Sequence, residues 1–371
     1  MTESRDVAIV GGGVLGLAAG RALAARGRDV VVLEQAVIGH AESGSKGSSR
    51  IFRLGYPVPG YVSAARRARD RWHELESESG QRILYPAPHL TFGPGLPGVR
   101  DAMSAAGAPS SVLHAAEVAE RFPAIRLDGP ALLEPDSAVI AADVALSALA
   151  ASVPEIRTGV RVIRMADDGR QVTLFTSGGT ITAGVAIITA GPWSAGLLAS
   201  MSVPLPGRAT LEQVAYLRQA GQDGAPIFIR HGRQSPYGVP VPGTRLYKTG
   251  IHSSGPFTGP DAQHQVADQS LLVRLADVAR RYLPGYLPEP VDAERCVYDN
   301  TPDEDFILDR IGNVIVGCGT SGHGFKFAPL LGEWLADLAA DSDSGVTGLD
   351  GFQAEFALRE RFAVRRFGQL G

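Results

Sequence analysis

Asp6-Val7-Ala8-Ile9-Val10-Gly11-Gly12-Gly13-Val14-Leu15-Gly16 is the stretch that decides the fold of this chain. A run of apolar residues with no polar alternation is what a strand buried on both faces of a parallel sheet requires. Gly11, Gly13 and Gly16 form Gly-x-Gly-x-x-Gly, and the Ala- and Leu-rich segment from Leu15 to Arg26 reads as a helix closed by Gly27. Asp29 to Leu33 is a second buried strand, with Glu34 at its C-terminal end, eighteen residues after Gly16. The order strand, glycine turn, helix, strand, terminal acid makes a βαβ unit for a dinucleotide. Backbone N–H groups and the helix dipole meet the pyrophosphate, and Glu34 accepts hydrogen bonds from ribose hydroxyls. The acid disfavours a 2′-phosphate but leaves NAD and FAD both open.

The same spacing recurs at Gly317, Gly319 and Gly322 after the strand-like Asn313-Val314-Ile315-Val316. No second strand with a terminal acid follows, because the pattern stays helical from Phe325 to about Ala340. This is not a second nucleotide fold. A glycine-rich loop opening a helix can instead press its N–H groups against an electron-accepting ring, or serve simply as a tight turn.

Outside these motifs the composition is that of an ordinary globular chain. At 371 residues, length alone suggests two or three domains, and 44% hydrophobic with 20% charged residues excludes disorder. The net charge of −4 leaves no basic excess for a phosphate backbone, so nucleic acid is not expected as a partner. Apolar runs such as Val185 to Ile188 are far shorter than a membrane helix needs, and Met1 to Asp6 carries no leader-like pattern. The expectation is a cytoplasmic protein without membrane contact. Cys296 and Cys318 lack the spacing of a zinc site or a disulfide framework. Of the 35 basic residues only Lys46, Lys248 and Lys326 are lysines. Against so strong a preference for Arg, each marks a place where a compact ammonium of tunable pKa could matter.

Apolar residues at 61, 65, 68, 72 and 75 step as one helix face, and Leu271, Leu275, Val278 and Tyr282 as another. Short segments between Pro86 and Pro135, and strand-like runs from Arg208 to Ile251, indicate an antiparallel sheet apart from the nucleotide fold.

Further segments carry a resemblance: Ser49-Arg50-Ile51-Phe52-Arg53, Ala190-Gly191-Pro192-Trp193, Tyr237-Gly238-Val239-Pro240, Lys248 to His252, Arg295-Cys296-Val297-Tyr298, Thr301 to Phe306, and Ser321-Gly322-His323-Gly324-Phe325-Lys326. Together with the N-terminal motif they resemble flavin amine oxidases of the monomeric sarcosine oxidase and N-methyltryptophan oxidase group, within the D-amino acid oxidase superfamily. The resemblance implies an α/β fold with an α+β second domain. A Rossmann-like FAD-binding domain (1–85, 141–207 and 291–371) would be interleaved with an antiparallel-sheet substrate domain (86–140 and 208–290).

It also implies roles. Gly11, Gly13, Gly16 and Glu34 would hold FAD, with Gly322, His323 and Gly324 against the ring, and Cys296 would carry the flavin covalently, Arg295 favouring its thiolate. Arg53 and Lys326 would hold the substrate carboxylate, with Tyr56 retained beside them. Lys248 would assist oxygen, while His252, Tyr237 and Arg50 would complete the catalytic set. Lys46 stands where relatives have His and is assigned to the cofactor's surroundings only. His323 is expected mainly to shape its loop, Trp193 to sit in the core, and Cys318 to be structural. Leu54-Gly55 and Asp299-Asn300 depart from the family pattern and leave the amine substituent open. The implied reaction is FAD-dependent oxidation of a secondary amino acid, N-methyl or cyclic, to an imine, with O2 reduced to H2O2 by a monomeric enzyme. Alternatives are a flavin dehydrogenase with another acceptor, a nicotinamide enzyme, and a non-catalytic nucleotide-binding protein.

Overall fold

The computed structural model describes residues 3–232, 234–262, 266–340, 358 and 360–368. The strand Glu3–Val10 lies between Gly179–Ile188 and Val30–Leu33, parallel to both. Val314–Cys318 extends the parallel set alongside the C-terminal half of Gly179–Ile188, and Ile156–Arg157 pairs beyond Val30–Leu33. Val162–Asp167 and Val172–Thr176 continue one edge in antiparallel sense. Val7, Val32 and Val316 are all fully buried, as expected of strands covered on both faces. The helix Val14–Ala25 follows the first glycine turn. It packs so closely on the helix Ala328–Ala340 that a Cβ at Gly332 would stand 2.5 Å from the Ala18 backbone.

The predicted helix face beginning at Tyr61 belongs to Pro59–Ser79. Its Trp72 is fully buried, stacks on Phe325 with ring centroids 6.1 Å apart, and donates its indole N–H to the Lys326 carbonyl at 2.9 Å. The apolar stripe therefore does more than fill the core, since it fixes the backbone from which Lys326 projects.

The second sheet runs in the order Asp292–Asn300, Arg208–Arg218, Leu246–His252, Ser235–Pro240, Ile227–Arg230, His89–Phe92, Ala131–Glu134, Ser111–Leu113. Its pairs are antiparallel except for Ile227–Arg230 with His89–Phe92. The helix Gln269–Tyr282 covers it with Leu271, Leu275, Val278 and Tyr282, and Asp268 caps that helix by accepting from the Ser270 and Leu271 N–H groups. Asp292–Asn300, which carries Cys296, pairs over its whole length with Arg208–Arg218, from Arg208 opposite Asn300 to Tyr216 opposite Asp292. By strand pairing it lies with the antiparallel layer rather than with the nucleotide-binding layer, although the sequence grouped 291–371 with the latter. The stretch 341–357 of that grouping lies outside the described residues. A small third sheet joins Ser49–Phe52, Ala138–Ala141 and Leu84–Pro86. It brings Arg50 and Arg53 to the space between the layers, at the carboxyl ends of the parallel strands, where open α/β sheets bind ligands.

Candidate active site

A cavity of about 830 Å³ runs between the two layers, from Glu34 to Lys326. At one end Gly11 takes a φ of +107°, and a Cβ on Gly16 would lie 2.0 Å from the Gly11 carbonyl oxygen. Gly11 and Gly13 line the cavity, whereas Gly16 does not: its part is to let the helix start close under the turn. Gly13 caps the helix without a side chain of its own, the Val14 N–H is taken by the Ser45 hydroxyl at 3.0 Å, and the first turn carries no acidic residue, so the helix's positive end is not neutralised. Glu34 is buried, with its carboxylate accepting the Gly12 N–H at 2.8 Å and the Ala36 N–H at 2.9 Å. A helix N-terminus without an acidic residue, close-approach glycines and a fixed acid at the next strand's end fit the pyrophosphate and ribose of a dinucleotide.

In the middle of the cavity the second glycine loop meets the Cys296 strand. Gly322 has φ +72°, and a Cβ there would lie 2.1 Å from the Tyr298 ring, so glycine is needed both for the turn and for the contact. The Cys296 sulfur is half-buried, faces the cavity, and burial pushes its thiol pKa up. The cations acting on it are Arg50, Lys248 and Lys46, all lining the same cavity. Arg295, expected to favour the thiolate, instead donates to the Val266 carbonyl. Neighbours along a strand point to opposite faces, so residue 295 turns away from the sulfur. Lys248 is 4% exposed, bonds its Nζ to the Ser49 carbonyl, and is brought down to about 7 by burial and by the Arg50 charge. Arg50 in turn donates to the Ser49 and Gly44 carbonyls and stands over the Phe325 ring at 5.4 Å.

At the far end are two buried cations. Arg53 is 8% exposed, its guanidinium lies 3.9 Å over the Tyr56 ring, and its buried Nη1 has no hydrogen-bond partner. Lys326 donates to the Tyr56 hydroxyl at 3.0 Å and to the His323 carbonyl at 2.8 Å, and burial plus the Arg53 charge hold its ammonium well below the ordinary lysine value. Tyr56, raised to about 12 by burial, keeps its proton and lies 3.3 Å from His323 Nδ1. Burial holds His323 neutral, which makes Nδ1 the acceptor and lets Nε2 donate to the Glu304 carbonyl at 2.9 Å. His323 thus does more than shape its loop, because it links Tyr56 to Glu304.

His252 is 28% exposed on the side chain and faces the Glu304 carboxylate at 3.6 Å. Tyr237 lines the cavity, packs against Gly250, and shares a hydrogen bond with Tyr298. Trp193, expected in the core, lines the cavity and donates to Asp261 at 2.8 Å. Cys318 is buried, as expected of a structural thiol. The expected site residues other than Gly16 all line this one cavity. Sequence reasoning missed Glu304, Tyr298, His231 and the buried Glu134–His89 pair. Glu304 and Tyr298 lay inside quoted segments, whereas nothing in the local pattern flagged the others.

A family model described as FAD dependent oxidoreductase matches residues 6–338, and the chain belongs to that family. Within it, the chain is 32% identical to peroxisomal sarcosine oxidase of Mus musculus, across 91% of this chain and 93% of the relative. It is 28% identical to N-methyl-L-tryptophan oxidase of Yersinia pestis (strain Pestoides F), across 92% and 96%. Among solved structures it is similar to the open form of NikD, an unusual amino acid oxidase essential for nikkomycin biosynthesis. That match has a TM-score of 0.83 and 27% identity, covering 93% of this chain and 96% of the other.

Proposed function

We propose that this protein is a monomeric, cytoplasmic flavoprotein oxidase of secondary amino acids, N-methylated or cyclic. The observation that carries the reading is the pair of buried cations, Arg53 and Lys326, with a guanidinium nitrogen left unpartnered in a cavity otherwise shaped for a dinucleotide. A buried guanidinium nitrogen with no hydrogen-bond partner, beside a buried lysine that is bonded to no carboxylate, is a costly arrangement unless a ligand supplies an acceptor. A substrate carboxylate does so, taking the planar fork of Arg53 and the point charge of Lys326.

Gly11, Gly13 and Glu34 would hold the nucleotide half of FAD, with Gly322, His323 and Gly324 against its ring and Lys46 nearby. Cys296 and Cys318 both line the cavity, and we assign the covalent link to Cys296, which is half-buried where Cys318 is buried. The bound FAD would supply two-electron oxidation of the C–N bond to an imine, with O2 reduced to H2O2. This chain's residues do the rest. Arg53 and Lys326 fix the carboxylate, which leaves the amine between Tyr237 and His252. His252, whose Nε2 faces the Glu304 carboxylate, takes the ammonium proton on its other ring nitrogen, so the neutral amine is the form that reacts. Lys248, anchored to the Ser49 carbonyl, supplies a positive charge below about pH 7 where oxygen becomes negatively charged. Arg50 braces Ser49 and Phe325 on either side.

Anaerobic flavin bleaching by N-methylglycine, N-methyltryptophan, proline and pipecolate, each compared with its primary amide, tests the reading. At least one acid should bleach the flavin about tenfold or more faster than its amide, because the amide forfeits the charge-assisted contacts. Equal rates for every acid and amide would overturn the carboxylate-clamp reading. Acid precipitation should leave the colour in the pellet for the native protein and release it from Cys296→Ala.

A further inference from the structure

The Leu54-Gly55 pair that follows Arg53 has a physical reason in the structure. Glu134 is fully buried on the strand Ala131–Glu134. Its Oε2 accepts the Gly55 N–H at 2.8 Å and the Leu54 N–H at 3.1 Å, the two peptide groups that follow Arg53. Oε1 lies 2.7 Å from Nδ1 of His89, also fully buried, and 3.3 Å from the Thr91 hydroxyl. A Cβ on Gly55 would lie 2.3 Å from Oε1, so glycine at this position is what lets the carboxylate reach the backbone.

An acid this near a ligand-binding arginine would ordinarily capture it. Here none of Glu134's contacts is to the guanidinium, and Arg53 Nη1 stays unpartnered. The acceptor sites of the carboxylate are filled by peptide N–H groups, His89 and Thr91. Burial alone would raise the Glu134 carboxyl, but His89, the charge of Arg53 and the Gly55 N–H outweigh that and hold it at about 2. Glu134 therefore acts on Arg53 through its charge without a hydrogen bond to the guanidinium. It grips the backbone on one side of Arg53 while Tyr56 supports the guanidinium from below.

We propose that Glu134, oriented by His89 and admitted by Gly55, is the positioning residue of the substrate-carboxylate site. It holds the Arg53–Tyr56 segment so that the guanidinium lines the cavity with its Nη1 free. This inference rests on the reading of Arg53 and Lys326 as the carboxylate clamp. The wider consequence concerns substrate class: a clamp held this rigidly selects for the carboxylate itself and leaves selection of the amine substituent to the opposite wall, where Tyr237 and His252 stand.

The test uses the flavin-loaded full chain, acetate as the probe, and the change in flavin absorbance as the readout of Kd. Gly55→Ala drives the carboxylate off the backbone. Glu134→Asp keeps the charge but retracts it by one methylene. Each should weaken acetate about tenfold. Neither should weaken it further in an Arg53→Ala background, because a residue acting through Arg53 has nothing left to position once Arg53 is gone. If Gly55→Ala does not fold, the Glu134→Asp pair of measurements decides alone. Native-like acetate binding in Gly55→Ala and Glu134→Asp, with binding lost in Arg53→Ala, would overturn the positioning role and leave the clamp intact. Additive losses in the double variants would also overturn it. Native-like binding in Arg53→Ala would overturn the clamp, and the inference with it.

Discussion

Replacing Arg53 by Ala removes a guanidinium that is 8% exposed and rests over Tyr56 with an unpartnered Nη1. A hydrogen bond to a charged group contributes about 1.5–3 kcal/mol net, so losing one raises the Kd for acetate about 10- to 150-fold. A second effect follows from Lys326. Burial and the Arg53 charge both disfavour its ammonium, whereas an arriving anion favours it, so anion binding and protonation of Nζ should support each other. Affinity for acetate in the native protein should therefore weaken as pH rises. Without Arg53 the ammonium is retained to higher pH in the free site. Proton uptake on binding should then shrink and the pH slope flatten, even as overall affinity falls. Flavin-absorbance titrations between about pH 6 and 9, with calorimetry in two buffers of different ionisation enthalpy, measure both quantities. An Arg53→Ala Kd within about threefold of native, or an undiminished proton uptake, would refute the reasoning.

Lys248 loses its charge as pH rises through about 7, so the rate at which reduced flavin reacts with O2 should fall over that range. Lys248→Met should make the oxygen step slow at every pH, and equal slowing of flavin reduction in stopped-flow traces would remove Lys248 from it. Gly322→Ala places a methyl 2.1 Å from the Tyr298 ring at a φ of +72°, which should destabilise the protein by about 2–5 kcal/mol. A denaturant midpoint equal to the native one would contradict that packing.

The first βαβ unit was readable in its order and its glycine turn because the buried strand, the turn and the terminal acid are all local signals, although the first strand begins three residues earlier, at Glu3. The stripe containing Trp72 was equally plain, since helical spacing shows in the sequence even when the partner, here Phe325 and the Lys326 carbonyl, does not. The sheet membership of Asp292–Asn300 was not legible: a half-buried strand announces itself but not its neighbour. Arg295 could have been placed correctly from period-two alternation alone, which sets it opposite Cys296. Glu134 and His89 lie 45 residues apart and meet only across paired strands, at a register that local pattern does not encode. Gly55 was visible as a departure from the family, but its meaning became clear only when Glu134 was found against it.

The most direct test of the central claim is to reduce the purified protein anaerobically with a carboxylate-bearing secondary amine and then mix it with air-saturated buffer. The account predicts bleaching of the flavin, rapid return of the oxidised spectrum, and one H2O2 released per flavin reoxidised. Failure of every such amine to bleach the flavin, or a reduced flavin that persists in air without forming peroxide, would contradict it.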